Sequence, residues 1–336
     1  MTESKPTPLP PIELVAPDIF LHRGGNTGVN YVSSFDSGKP GPHAMLQALT
    51  HGNELCGAIV LDELLRAGVR PAAGRLTVAF ANVAAYQRWD PANPDVSRYV
   101  DEDFNRVWAE DVLDGPRDSV ELHRARDLAG FVDNADYLLD IHSMREPCPP
   151  LMVCGVAWRG GEKGAALARR MGVPRHLLID TGHPAGLRMI EHGSFADPAS
   201  PRTAVLIECG QHWEQASVEV AREAVRRFLD VIGVLEYGRS AWAEGPPTSA
   251  PQQSGGPAGE APRVVRVTHA VVARSLSFRF AADYRGLEVI AHAGDPIAFD
   301  GDEIIRAPYD NTVLVMPSMA HLKVGNTMVR LGRFED

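Results

Sequence analysis

The chain has 336 residues, enough to bury a sizeable core in one large domain and leave room for a smaller one. Its 44% hydrophobic and 23% charged residues are those of an ordinary globular protein, and its net charge of −10 argues against nucleic acid or an anionic membrane as partner. No apolar run approaches the length of a membrane span, and no signal-peptide pattern opens the sequence. Cys56, Cys148, Cys154 and Cys209 have neither zinc-ribbon spacing nor a disulfide framework, so they read as reduced thiols in a cytoplasmic protein.

In chain order, residues 1–11 form a Pro-rich arm, and residues 18–34 carry the mixed polar and apolar pattern of edge strands and turns. Residues 44–49 (AMLQAL) predict a buried strand, and residues 54–66 have the apolar spacing of a helix that stops at Gly68. A second buried strand, 75–82 (RLTVAFAN), completes a strand–helix–strand unit with parallel pairing. Residues 83–116 form a long irregular stretch whose aromatics (Tyr86, Trp89, Tyr99, Phe104, Trp108) argue for an ordered, functional loop. Asp118 and Glu121 resemble a capping box opening a helix to about Phe131. Next come a strand at 137–142 (YLLDIH), a Pro-rich loop at 143–150 and a helix at 161–171 ended by Gly172 and Pro174. A strand at 203–208 (TAVLIE) and an amphipathic helix at 215–233 follow. Composition then shifts to Gly, Pro, Ser, Ala and Gln over 238–262, as in a linker or exposed loop. Residues 264–333 show short β-rich runs without helical period.

The chemistry gathers where these strands end. Thr50-His51-Gly52-Asn53-Glu54 joins the first buried strand to its helix, so His51 and Glu54 can converge at the carboxyl edge of a sheet, where open α/β folds bind ligands. A neutral imidazole and a carboxylate are two ligands that a catalytic zinc takes. His142, at the end of another strand, supplies the third, and Asp140 on the same face can orient it. In the long loop, Asn105 and Arg106 offer amide and guanidinium donors for a carboxylate, while Arg98 can supply positive charge where an oxyanion develops. Glu208 ends an apolar strand, where a carboxylate can take a proton from an activated water and return it to a leaving amine.

THGNE, DEDFNR with its upstream Arg-Tyr, DIHS and IECGQ, in that order, resemble the succinylglutamate desuccinylase/aspartoacylase family, relatives of zinc carboxypeptidases. The resemblance covers residues 19–233. It implies one zinc (Zn2+) per chain on His51, Glu54 and His142, with Glu208 as general base. It also implies that Asn105 and Arg106 bind the amino-acid carboxylate and that Arg98 polarises the scissile carbonyl. The fold it implies is α/β: a zinc-carboxypeptidase-like three-layer α/β/α domain with a mixed, largely parallel sheet (1–237), a linker (238–262) and a small all-β domain (263–336). The last is similar to a lipoyl/biotinyl-type hairpin fold without a Met-Lys-Met or Asp-Lys-Ala tip, so it is expected to be a lid or wall.

One position departs from the family. Where aspartoacylase-like enzymes carry an arginine for the substrate's side-chain carboxylate, this chain has Pro198; Arg188, which precedes Glu208 and follows the loop around His183, is the first candidate to replace it and Arg202 the second. N-acetylaspartate is therefore expected to be a poor substrate beside N-acyl amino acids with neutral or basic side chains. The resulting expectation is a zinc-dependent hydrolase that removes an acetyl- or succinyl-class group from a small N-acyl amino acid. A metallocarboxypeptidase and a non-catalytic metal-dependent binder are the alternatives, and a homo-oligomer is compatible with the sequence.

Overall fold

The computed structural model describes residues 10–235, 242, 261–320 and 322–335, so residues 1–9 of the Pro-rich arm and nearly all of the 238–262 segment lie outside the described residues. In chain order the elements begin with β1 (Val32–Asp36), β2 (His43–Ala48), α1 (Leu55–Arg66), β3 (Arg75–Phe80), α2 (Val83–Tyr86) and α3 (Glu110–Leu113). They continue with α4 (Val120–Asn134), β4 (Tyr137–Met144), β5 (Leu151–Val156), α5 (Gly161–Met171), β6 (His176–Asp180), β7 (Thr203–Gln211) and α6 (Gln215–Val231). The remainder is β8 (Arg263–Val272), β9 (Arg279–Phe280), β10 (Glu288–Ile290), β11 (Pro296–Asp300), β12 (Glu303–Arg306), β13 (Thr312–Val315) and β14 (Thr327–Glu335).

One mixed sheet of eleven strands runs β1-β3-β2-β4-β7-β5-β6-β8-β14-β13-β10. Its centre is parallel, β3 with β2, β2 with β4 and β4 with β7, as the buried apolar runs predict. The sheet does not stop at the linker: β8 pairs with β6 in parallel and continues into β14, β13 and β10. A separate three-stranded sheet, β12-β11-β9, packs around its own core of Phe278, Ile297, Ala298 and Leu314.

Strand alternation sorts the core into two faces. Leu46, Val78, Leu139, Ile141, Val205 and Ile207 point to the side covered by α1, α5 and α6. Met45, Ala79, Leu138, Ala204 and Leu206 point to the side covered by α4 and the long loop, including Phe104 and Trp108. The α/β architecture with a C-terminal β region is thus the observed one.

Local differences have physical causes. β5 and β6 carry no strand expectation from sequence; Gly155, at φ 99°, interrupts the apolar run of β5 from within, and Pro149, Pro150, Gly172 and Pro174 precede the two strands with turn chemistry. The α4 N-cap is Ser119, whose Oγ accepts from the Leu122 amide at 3.0 Å, and Asp118 stays outside. Glu121 turns away from the helix start altogether. It is fully buried and accepts from Asn82 Nδ2 and the amides of Val100, Asp101 and Glu102 at 2.7–3.2 Å. The long loop is therefore pinned by a helix residue.

Candidate active site

β2, β4 and β7 lie side by side and parallel, so their carboxyl ends open on one edge. Beyond β2 the chain turns through Leu49 at φ 60° and then Thr50 to Glu54. Gly52 is indispensable there. A Cβ on it would lie 2.3 Å from the Ser97 carbonyl oxygen and 2.4 Å from the Tyr86 amide, and its own amide donates to the Arg98 carbonyl at 3.2 Å. This contact docks the long loop onto the turn.

His51, Glu54 and His142 come together as expected, with one ligand atom from each within 4.8 Å of the others and all three buried. Nδ1 of His51 and Nδ1 of His142 face the two oxygens of Glu54 at 2.7 and 2.9 Å. The opposite nitrogens are backed by carboxylates: His142 Nε2 by Asp140 at 2.8 Å, His51 Nε2 by Asp103 at 3.0 Å. Thr50 Oγ1 donates to Asp140 at 2.8 Å, and the Ser143 amide donates to Glu54 at 3.2 Å. Two imidazoles aimed by carboxylates at a shared carboxylate form a donor set suited to zinc, with room for a fourth ligand.

Glu208 is in register with His142 across the β4–β7 ladder. Its Oε2 is buried with no hydrogen-bond partner among the described residues. Burial and the nearby Glu54 charge hold Glu208 well above the usual carboxylate range, against the pull of His142 and Arg98. Glu54 is also buried, yet His51 and His142 outweigh that and hold it well below. Two neighbouring carboxylates are thus driven apart, one ionised and one poised to hold a proton.

Arg98 lies 3.7 Å from Glu54 and 3.3 Å from Asp103. Asn105 is committed in part, its Oδ1 accepting from the Met189 amide at 3.1 Å. Arg106 donates to the Asn105 carbonyl at 2.6 Å and has no ion-pair partner among the described residues. Burial, with repulsion from Arg188, Arg330 and Arg98, pushes it down to about 10 despite Asp103. These groups line a cavity of about 210 Å³ together with Arg188, Arg330, Asp180 and His212.

Arg188 lines that cavity, but its guanidinium is engaged by Asp180 and Glu191. Arg202 precedes β7 at the opposite end of the strand from Glu208, bonded to the Asp133 carbonyl and 3.9 Å from Asp136, so it does not reach the cavity. Pro198 is exposed in the turn before β7. Three participants escaped the sequence reading. Asp103 lies within DEDFNR, where the expectation rests on Asn105 and Arg106 alone. Arg330 sits on a strand whose position no local pattern gives. His212 follows IECGQ directly, and its Nδ1 lies 2.8 Å from Ser143 Oγ.

The catalytic-domain model of the succinylglutamate desuccinylase/aspartoacylase family matches residues 40–232. Among curated proteins, none matches the chain. Solved structures share the fold at low identity. An aspartoacylase family protein from Mesorhizobium loti has 17% identity and a TM-score of 0.62, over 91% of this chain and 89% of its own. Succinylglutamate desuccinylase from Vibrio cholerae has 16% and 0.61, over 92% and 88%. The product-bound ectoine utilization protein EutE (DoeB) from Ruegeria pomeroyi has 16% and 0.60, over 92% of both chains. With more than half of its length matched, and the motif residues gathered at one sheet edge, the chain belongs to the succinylglutamate desuccinylase/aspartoacylase family of deacylases.

Proposed function

We propose that this protein is a zinc-dependent amidohydrolase that deacylates a small N-acyl amino acid. The observation that carries the reading is the buried His51–Glu54–His142 group, with Glu208 beside it, whose Oε2 has no hydrogen-bond partner among the described residues. A bound zinc would supply Lewis-acid polarisation of the amide carbonyl and acidify water at the open position. Asp140 and Asp103 fix the imidazoles so that both present Nδ1. Glu208 takes the proton from the attacking water and returns it to the departing amine, a role suited to a carboxylate with a raised pKa. Arg98 donates to the carbonyl oxygen as negative charge builds on it. Arg106, half-buried and without an ion pair among the described residues, receives the substrate carboxylate as a fork, with the Asn105 amide beside it.

Gly286, Met316, Pro317, Ser318 and Arg330 of the C-terminal β region wall one side of the cavity. A small substrate fits that enclosure better than a peptide does, which favours the deacylase over the metallocarboxypeptidase reading. The test is hydrolysis of a panel of N-acetyl and N-succinyl amino acids against peptides, with and without a chelator. Chelator-sensitive release of free amino acid is expected. Preferential cleavage of peptides, or full activity after complete metal removal, would refute the proposal.

A further inference from the structure

Three guanidinium groups meet on one wall of the cavity: Arg106 from the long loop, Arg188, and Arg330, which β14 delivers from the C-terminal region. They act on a common space, because burial and the charges of all three depress the nearby His183 to about 3. Asp180 and Glu191 stand against them. Arg188 takes up both, donating from Nη1 to Asp180 Oδ2 at 2.8 Å and from Nη2 to Glu191 Oε1 at 2.5 Å. Arg330 touches Asp180 only through Nε, at 3.5 Å, and its two terminal nitrogens have no protein acceptor among the described residues. Arg106 donates only to a backbone carbonyl. Arg98 and Asp103, at the edge of this wall, pair with each other.

Arg188 is therefore saturated by two carboxylates, whereas the forks of Arg106 and Arg330 have no side-chain hydrogen-bond acceptor among the described residues. One incoming carboxylate can span both forks. A second would meet guanidinium groups already paired, beside the Asp180, Glu54 and Glu208 carboxylates that line the same cavity. The remaining lining includes Val153, Leu178, Leu206 and Met316, which offer an apolar surface.

Resting on the deacylase reading above, we propose that Arg330 is a specificity-determining residue. With Arg106 it holds one substrate carboxylate, and it selects N-acyl amino acids that have no second carboxylate and carry an apolar side chain. The C-terminal β region then contributes directly to recognition.

Calorimetric titration of the zinc-loaded full chain with L-leucine, L-leucinamide and L-aspartate tests this without turnover. The wild type should bind leucine more tightly than either of the others. Arg330→Met should lose roughly 10- to 100-fold in leucine affinity, as expected for a charge-assisted contact, with leucinamide unchanged. An equal loss for leucine and leucinamide would make Arg330 merely structural, and a loss confined to aspartate would make it a second-carboxylate grip; either result overturns the proposal. Should Arg330→Met fail to fold, Arg330→Gln, which can still donate to Asp180, gives the same comparison. If these affinities behave as expected but no N-acyl amino acid is hydrolysed, the deacylase reading fails and the carboxylate assignment stands.

Discussion

Asp103 Oδ1 lies 3.0 Å from His51 Nε2 and also accepts the Asn105 amide at 2.8 Å. One carboxylate thus aims an imidazole of the proposed metal site and shapes the short turn that carries Asn105 and Arg106. Burial opposes its charge, but His51, Arg106 and Arg98 hold it well below the usual range. Asp103→Asn should weaken zinc affinity by roughly 10- to 100-fold, the usual cost of losing a ligand's supporting partner. Competition with a chromophoric chelator reads this directly, and wild-type affinity in the variant would show that Asp103 does not support the site.

His142 is the proposed zinc ligand most deeply embedded in the sheet, since β4 pairs on both sides. His142→Ala should lose most of its zinc by metal analysis and all measurable hydrolysis. Full zinc occupancy in this variant would remove His142 from the ligand set.

Glu208→Gln keeps the shape of the side chain but cannot accept a proton. It should retain zinc and substrate affinity while turnover falls by roughly 10² to 10⁴-fold. Near-normal turnover would assign the base to another group.

Glu121 gathers three consecutive loop amides and the Asn82 side chain instead of capping its own helix. Glu121→Gln exchanges charge-assisted bonds for neutral ones and turns one acceptor into a donor facing amides. Destabilisation of about 2 kcal/mol is expected by chemical denaturation, with kcat falling because Arg98 follows the loop. An unchanged midpoint and unchanged kcat would show that the loop holds itself.

Gly52→Ala drives a methyl into the Ser97 carbonyl and the Tyr86 amide. The loop must retreat from the turn, at a cost of about 1–3 kcal/mol. Thermal melting measures the loss, and zinc content should fall with it because His51 and Glu54 flank the displaced residue.

The ligand-bearing edge was legible in the sequence because each of its side chains follows a continuous apolar run: AMLQAL before His51, YLLDI before His142 and TAVLI before Glu208. Buried parallel strands advertise themselves in that way. Asp103, Glu121 and Arg330 were not legible, since their partners lie far away in the chain and no local period encodes such contacts. The residues of β5 (LMVCGV) and β6 (HLLID) carry the same apolar signal as the central strands, but shortness and the surrounding Pro and Gly obscured it. The second-carboxylate arginine shows the limit of spacing arguments. Spacing put Arg188 ahead of Arg202 as the replacement; the fold keeps Arg202 away from the cavity and brings Arg188 to it, but with its guanidinium already held by Asp180 and Glu191.

Because β6 takes β8 as its parallel neighbour, one edge of the α/β sheet stays bare until residues beyond α6 have folded back. Long-range parallel pairing is slow to form, and an unpaired apolar edge is a template for other chains. Leu177, Leu178 and Ile179 lie on that edge, all buried in the finished protein. The hazardous moment in the life of this chain is thus the interval after β2, β4 and β7 have assembled and before Arg263–Val272 arrives, when self-association competes with completion. A version ending after α6 should accumulate as aggregates, whereas the full chain refolds to a dispersed species.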